Sequence, residues 1–409
     1  MIVKISASKL QPGMHVTNPG LSQESNPNIF LADRVIESKG DVASITHNGF
    51  VDAFVDTERG TYFQGNPRHK RELENPLSAI STDDSQGDAS PGNFDRISGQ
   101  LESAEKQYRL FLQHARDFIN QLKLTQTIDV KSNEAFVESV IKQADEAGRA
   151  LLFLSKLQQY DEYSYTHNLN VSILSVLFGK YLGLGPENLM ILGLSGLFHD
   201  IGKLMVPERI LKKPGKLTNS EFALVQKHPV YSREMLERQK DIPAEVIRCA
   251  HEHHEHYCGG GYPRGVGHEQ IGRASSLVSI IDTYDAVTSD RRHRPAVSSH
   301  KAITLIFSLK GKSFSPALVD RFIRFVGIYP VGSVVVLANG RKGIVIEQNQ
   351  ENLLLPKIRV ILDEKNRYCP PRDVDLLREQ GKRGVAHVAD CLGPQECRIH
   401  VESYLKGAA

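Results

Sequence analysis

The nine residues Ser195-Gly196-Leu197-Phe198-His199-Asp200-Ile201-Gly202-Lys203 decide how this chain is read. A histidine and an aspartate stand side by side at the end of an apolar run, and a lysine follows three residues later. Neighbours on a regular helix are ~100° apart, so the two can face one point only where the helix ends or bends. Such a pair offers a metal one imidazole and one carboxylate, and the carboxylate can bridge to a second metal. A lone His-Asp is more often a capped or surface pair, so the other polar groups of the chain must decide.

Upstream, Leu189, Leu192, Gly196, His199 and Lys203 recur at intervals of three and four, a stripe on one helix face. Gly193 and Gly196 would let another helix approach closely. A preceding helix is expected from near Tyr163. His167, Val171, Leu174 and Phe178 share its apolar face, so His167 points into the core, where a plain hydrogen-bonded core histidine also fits. Gly183-Leu184-Gly185-Pro186 stops that helix and opens the next, with Pro186 suited to a first turn.

Downstream, Thr218 and Glu221 form a capping box that opens another helix. That helix is expected to end at His228-Pro229, which leaves His228 at a C-terminus, facing either the helix dipole or a ligand. The stretch Cys249 to Pro263 holds four histidines in six residues: His251, His253, His254 and His256. A solvated tract that binds metals loosely has the same composition. Gly259-Gly260-Gly261 makes a tight loop in which backbone can approach a phosphate. A helix expected from about 272 places Leu277, Val278, Ile281, Asp282 and Asp285 on one face. A carboxylate on such a stripe needs a cation or several donors. Arg291, Arg292 and Arg294 follow, and also fit an ordinary solvated surface.

The remainder frames this region. A chain of 409 residues allows two or three domains. It is 40% hydrophobic and 24% charged, ordinary values for a globular protein. A net charge of +2 gives no bulk case for nucleic acid or membrane insertion. Cys249, Cys258, Cys369, Cys391 and Cys397 form no CxxC pair and are odd in number, so no disulfide framework is expected. There is no 18-residue apolar run and no signal-peptide core, which makes the cytoplasm the default location.

Residues 1–64 read as a small β-rich domain, with a strand over Val3 to Ser6, a turn at Gln11-Pro12-Gly13, and a strand from Phe50 to Asp56 ended by Arg59-Gly60. Residues 65–95 are polar and rich in Pro and Gly, and read as a flexible linker. A helical domain then spans 96–329. Its leading helices cover about 96–126, on the spacing of Leu101, Tyr108, Leu112, Ala115 and Ile119, and about 132–157, with Ser132 or Asn133 as N-cap. From 330 the period changes to two. Ser333–Leu337 and Gly343–Glu347 flank Asn339-Gly340, a hairpin signal, and Lys357–Leu362 is a third strand. This sheet belongs to an extension over 330–409 whose polar part, 366–409, predicts nothing further. The fold class expected is mainly α: a helical bundle with a β-rich N-terminal domain and a C-terminal sheet.

Taken together, His167, His199, Asp200, His228, His253, His254 and Asp282 put five imidazoles and two carboxylates on buried faces or helix ends. That donor set suits Fe, Mn, Zn or Ni. Seven ligands with one bridging carboxylate fill two metals and leave room for a water, the arrangement used for phosphodiester hydrolysis.

The order H…HD…H…HH…D resembles the HD-GYP family, a subgroup of the HD metal-phosphohydrolases, over about residues 150–330. The motifs are His199-Asp200-Ile201-Gly202-Lys203, Lys212-Lys213-Pro214-Gly215-Lys216-Leu217, Lys227-His228-Pro229, His253-His254-Glu255, Gly261-Tyr262-Pro263 and Asp282-Thr283-Tyr284-Asp285-Ala286. Residues 1–64 resemble the small domain of unknown function that often precedes HD-GYP domains, through Leu10-Gln11-Pro12-Gly13-Met14 and Val55-Asp56-Thr57-Glu58-Arg59-Gly60.

The resemblance implies a helical HD-type bundle that hydrolyses cyclic di-GMP to linear pGpG or on to GMP, with Asp200, Lys203 and Asp285 as catalytic positions. It implies that the seven residues above hold the metals, and that Lys203, Arg291 and Arg294 contact phosphate. The Gly-Tyr-Pro loop with Tyr262 would shape the pocket and meet diguanylate cyclase (GGDEF) proteins. Two divalent metals per chain are expected, Fe or Mn ahead of Zn or Ni, and there is room for a homodimer. Two departures stand out. Cys258 replaces the family's usual Asp in HHExxDGxGYP, and Tyr163 occupies the position where three-metal members carry Glu. Glu162 and Asp161 are the nearest acids: five residues from His167, Glu162 points away from its face, and Asp161, six residues away, could reach only if the helix has not yet begun there. The alternative reading is a catalytically weak module that senses cyclic di-GMP or binds a cyclase; an HD hydrolase for another nucleotide is a third.

Overall fold

The computed structural model describes residues 2–18, 28–65, 94–157, 163–289, 296–379 and 387–393, together with 399, 401 and 404. Most of the segment read as a linker, 66–93, lies outside the described residues, as do Asp161, Glu162, Arg291 and Arg294. The chain divides into two compact units, Met1–Ile80 and Ser81–Ala409.

The first unit is a small sheet with one capping helix. Its strands are β1 (Ile2–Ser6), β2 (Met14–Val16), β3 (Ile29–Phe30), β4 (Arg34–Val35) and β5 (Asp52–Gly60). They run in the order β1-β5-β2-β4, with β3 parallel to β5. Strand β5 starts two residues later than the sequence predicted and continues through Arg59-Gly60, because Met14 pairs with Gly60. Its alternation buries Ala53, Val55 and Thr57. Ala53 and Val55 join Ile5, Leu10, Met14, Val16 and Ile36 in one core. Helix α1 (Lys39–His47) covers that core; its capping box pairs Ser38 and Asp41. A short helix, α2 (Tyr62–Gly65), follows.

The second unit is helical and carries the site. Helices α3 (Phe94–Thr125) and α4 (Val130–Leu157) lead. The cap of α4 is Asp129, whose Oδ1 accepts from Ser132 N at 3.0 Å, rather than Ser132 or Asn133. Helix α5 (Tyr163–Tyr181) packs against α3 and α4. From Tyr165 to Gly179 every residue of α5 is buried, polar ones included. A helix buried on all sides must place its polar groups on internal partners. Asn168 Nδ2 donates to Leu197 O at 3.1 Å and Ser172 Oγ to Gly193 O at 2.7 Å. Both acceptors lie on α6 (Pro186–Phe198). The two helices meet at Gly196, where a Cβ would stand 2.6 Å from the Ser172 backbone; on Gly193 it would stand 2.4 Å from Val137.

Helix α6 ends at Phe198, and Ile201–Met205 continues as a 3₁₀ turn. The predicted stripe therefore stops short of Lys203, which is only half-buried. Short helices α7 (Glu208–Leu211) and α8 (Asn219–Val225) follow, α8 with the Thr218/Glu221 capping box. Next come α9 (His228–Glu237), α10 (Ala244–Glu252), α11 (Arg273–Thr288), α12 (Ser299–Ser308) and α13 (Pro316–Val326). His228 thus opens a helix rather than closing one. Pro229 sits in the first turn of α9, where its missing N–H costs nothing. Among the described residues no helix is long and apolar enough to cross a membrane.

Among the described residues the C-terminal sheet has two strands beyond the three expected: it consists of β6 (Val334–Leu337), β7 (Lys342–Glu347), β8 (Lys357–Leu362), β9 (Tyr368–Asp375) and β10 (Val388–Leu392). All pairings are antiparallel, in the order β10-β6-β7-β8-β9. Strand β9 escaped the sequence reading because it contains Pro370-Pro371, which an edge strand tolerates and a central one does not. Strand β10 escaped because its outward residues are polar. The sheet packs on the helices: β7 meets α3, and just past β7 Gln348 Nε2 donates to Val326 O at 2.6 Å.

A side chain at Gly196 would force α5 and α6 apart. Gly196→Ala is expected to destabilise the chain by about 1–3 kcal/mol, the usual cost of overpacking. Urea unfolding of the variant beside wild type measures it; an unchanged midpoint would mean that the close approach carries no weight.

Candidate metal centre

The site is built where helix ends converge. His199 caps α6, and Asp200 leaves helical geometry at φ −103°, ψ 5°. That break turns two adjacent side chains toward one point. Behind them, Gly202 N donates to Ser232 Oγ at 2.8 Å, and Ser232 Oγ donates to His199 O at 2.9 Å. A Cβ on Gly202 would lie 2.1 Å from His228 O, so the motif glycine is what lets α9 bring His228 against Asp200. His167 comes from α5, His253 and His254 from the end of α10, and Asp282 from α11.

Six of these residues are buried, with His254 half-buried. They form two groups that could each hold a cation: His167, His199 and Asp282 in one, Asp200, His228, His253 and His254 in the other, with donor atoms within 4.8 Å inside each group. Asp200 faces both. Its Oδ2 lies 3.6 Å from His167 Nε2 and 3.4 Å from His199 Nε2, while Oδ1 lies 3.1 Å from His228 Nε2 and 3.8 Å from His253 Nε2. Asp282 Oδ1 is 3.1 Å from His167 Nε2 and 3.8 Å from His199 Nε2.

The outer ring nitrogens fix the tautomers. His199 Nδ1 meets Gly196 O at 2.8 Å, His228 Nδ1 meets Val225 O at 2.7 Å, and His253 Nδ1 meets Ala250 O at 3.0 Å. Carbonyls only accept, so each Nδ1 donates and each Nε2 keeps its lone pair for the centre. His228 Nε2 and His253 Nε2 then converge at 3.2 Å with no proton between them. Among the described residues, His199 Nε2 and Asp200 Oδ1 are buried without a hydrogen bond. Buried lone pairs that converge and stay unsatisfied are what a metal would complete, so the residues fit one.

Protonation points the same way. Burial opposes ionisation of Asp200, but Lys203 and His199 hold its carboxyl well below the usual range. Burial likewise opposes ionisation of Asp282, and His167 and His199 hold it low. Burial pushes His254 down to about 3, and His253 falls well below its ordinary value through burial and its neighbouring histidines. Ionised carboxylates and neutral imidazoles are the states a metal needs. His167 is the exception: burial lowers it, but Asp282 and Asp285 outweigh that and raise it to about 9. Either a proton or a metal must therefore sit between its Nε2 and Asp282.

The other expected residues divide. Lys203 Nζ is ion-paired with Asp200 Oδ2, with about a third of its side chain exposed. Tyr262 is half-buried, its ring centroid 4.6 Å from that of His254 and 6.3 Å from that of His228. Asp285 sits one layer back, where its Oδ2 accepts from His167 Nδ1 at 2.7 Å, so it orients a ring instead of facing the centre. The side chain of Tyr163, like Arg291 and Arg294, lies outside the described residues.

Two carboxylates that the sequence reading passed over hold the Gly-Tyr-Pro loop. Buried Glu255 accepts from Arg264 N at 2.7 Å and Val266 N at 3.1 Å. Buried Glu252 accepts from Arg264 Nη2, Gly272 N and Ser275 Oγ. Both lay inside a tract read for its imidazoles. Cys258 is exposed, and its N–H bonds Lys312 O at 2.9 Å.

Residues 152–318 match the family model described as an HD domain, and residues 2–132 match a domain of unknown function (DUF3391). A protein named cyclic di-GMP phosphodiesterase from Pseudomonas aeruginosa is 36% identical over 260 residues, 64% of this chain and 63% of that one. One of the same name from Thermotoga maritima is 30% identical over 218 residues, 53% of this chain and 58% of that one. A 3'3'-cGAMP-specific phosphodiesterase of Vibrio cholerae is 35% identical over 159 residues, 38% and 36% of the two chains. The chain spans less than two thirds of the length of each of these relatives. The segment matched as an HD domain thus carries the His-Asp, His-His-Glu and Gly-Tyr-Pro motifs, and a segment matched as DUF3391 stands ahead of it.

Proposed function

We propose that this chain is a metal-dependent phosphodiesterase that hydrolyses cyclic di-GMP, first to linear pGpG and more slowly to GMP. The observation that carries the reading is the division of one carboxylate: Asp200 turns Oδ2 to His167 and His199 and Oδ1 to His228 and His253. A shared carboxylate is how a protein keeps two cations a few ångström apart. In this reading His167, His199 and Asp282 hold one metal, and His228, His253 and His254 hold the other, with Asp200 between. The donors are nitrogen and oxygen without thiolate, a set that suits Fe, Mn, Zn or Ni; the family resemblance puts Fe or Mn first. A third metal is not expected, because the position one turn before His167 is Tyr163, a poor ligand at neutral pH. When bound, the pair lowers the pKa of a water and draws charge from a phosphoryl oxygen.

The chain's own residues do the rest. Lys203 is exposed enough to swing from Asp200 to a substrate phosphate, and Arg291 and Arg294 are assigned to the same anion. Burial, reinforced by Asp200 and Asp282, pushes the Tyr262 phenol up, so it stays protonated and acts as a wall and donor, not as a ligand. Asp285 holds the ring of His167. The names of the Pseudomonas and Thermotoga relatives support cyclic di-GMP as substrate, and the Vibrio relative marks 3'3'-cGAMP as the competitor to test. The exposed rim of the Gly-Tyr-Pro loop, at Cys258, Gly260 and Arg264, is assigned to a diguanylate cyclase partner.

Metal-loaded protein incubated with cyclic di-GMP should yield pGpG before GMP on chromatography; no product, or cleavage of 3'3'-cGAMP alone, would defeat the substrate assignment. Elemental analysis of the wild-type chain should give two metals, and His199→Ala and Asp200→Ala should abolish turnover and lower that count; either variant retaining both turnover and metals would defeat the two-metal reading. Lys203→Ala should keep its metals yet lose about ten- to a hundredfold in kcat/KM, the worth of one charge-assisted contact of about 1.5–3 kcal/mol. Unchanged kinetics would place the phosphates elsewhere.

A further inference from the structure

Behind His167 a line of buried hydrogen bonds leads away from the metal groups. Asp285 accepts from His167 Nδ1 through Oδ2 at 2.7 Å and from Asn170 Nδ2 through Oδ1 at 3.0 Å. Asn170 Nδ2 also donates to Ser155 O at 3.1 Å, and Asn170 Oδ1 accepts from Tyr108 OH at 2.7 Å. Tyr108, Asn170, Asp285 and His167 are each no more than 2% exposed. Tyr108 lies on α3, ahead of the segment matched as an HD domain and within the segment matched as a domain of unknown function.

We propose that Tyr108 and Asn170 are positioning residues for the metal-facing ring of His167, so that α3 is part of the site. The inference rests on the reading of His167 as a metal ligand. Each link fixes the rotation of the next. The Asn170 amide has its two N–H donors on two oxygens that only accept, Ser155 O and Asp285 Oδ1. A flip would press its carbonyl against both and its amide against the Tyr108 hydroxyl. With the amide fixed, one oxygen of Asp285 is tied, its plane is set, and the other oxygen can hold His167 Nδ1 along one line. That line decides where Nε2 points. Partners of this kind behind a ligating histidine are worth ten- to a hundredfold in metal affinity or activity in other sites.

Space filling does not account for the tyrosine. A phenylalanine would fill the contact between α3 and α5 equally well and would avoid burying a hydroxyl, which costs about 1–3 kcal/mol when unpaired. What phenylalanine would lose is the bond from the hydroxyl to Asn170.

Cobalt(II) titration of the full metal-free chain tests this without substrate, because the visible spectrum of bound cobalt reads ligand placement. Tyr108→Phe is expected to keep its circular dichroism and melting temperature near wild type, while one cobalt site weakens about tenfold and its absorption bands shift. Asn170→Ala should weaken the same site at least as much, and the double variant should be no worse than Asn170→Ala, since both act through one chain. Leu101→Ala, a buried position on α3 outside the line, should lower the melting temperature and leave the cobalt spectrum alone. With cyclic di-GMP, Tyr108→Phe should lower kcat and leave KM unchanged. Wild-type cobalt binding in Tyr108→Phe would overturn the inference, as would additive losses in the double variant. So would a Leu101→Ala chain with the same spectral change, or a Tyr108→Phe chain that loses its fold. Normal cobalt behaviour in wild type without cleavage of cyclic di-GMP would defeat the proposed function and leave this inference standing.

Discussion

The carboxylate of Asp200 is buried among imidazole nitrogens, of which those of His199, His228 and His253 bring lone pairs and no protons. An ionised carboxylate in low dielectric must be paired with positive charge, and Lys203 reaches only one of its oxygens. The helices are arranged around that need. Helix α6 stops so that His199 and Asp200 can face together, Gly202 lets α9 come close, and the fully buried α5 presents His167 from the opposite side. Removing the charge would relieve the electrostatic problem and also remove the reason for the convergence.

The parts of this arrangement that could be read in the sequence are those where a polar residue breaks an apolar period. His167, His199 and Asp282 each interrupt a stripe whose apolar members are buried, and a buried charge on such a stripe calls for a partner. His228 was placed at the wrong end of a helix because His-Pro marks a boundary without saying on which side the helix lies; its Nδ1 in fact bonds Val225 O at the end of α8 while the residue itself begins α9. Asp285 shares a face with Asp282, but one turn of helix places it behind the His167 ring instead of among the converging donor atoms. Which of the two carboxylates joins the cluster of donor atoms and which holds the far side of the ring depends on His167, 118 residues away, and leaves no local trace. Tyr108 was visible only as a core residue, for the same reason. Strands β9 and β10 were lost because edge positions relax the composition that marks a strand.

The Gly-Tyr-Pro loop shows how a departure from a family pattern can be judged by what carries the load. Two buried glutamates bind the loop from inside, through backbone amides and the Arg264 guanidinium. Cys258 lies on the outer side, tied through its backbone to Lys312. The shape of the loop beside His254 is therefore set by groups that the departure does not touch.

The two prolines of β9 have a consequence for the chain in a crowded cell. A five-stranded open sheet ends in rows of unpaired amides and carbonyls, and such rows recruit strands from other molecules. At Pro370 and Pro371 the exposed edge has no N–H to offer, and the opposite edge, β10, is five residues long with an irregular register against β6. Both borders of the sheet are poor templates for self-association, so the extension can sit at high local concentration beside copies of itself without zipping into a continuous ribbon.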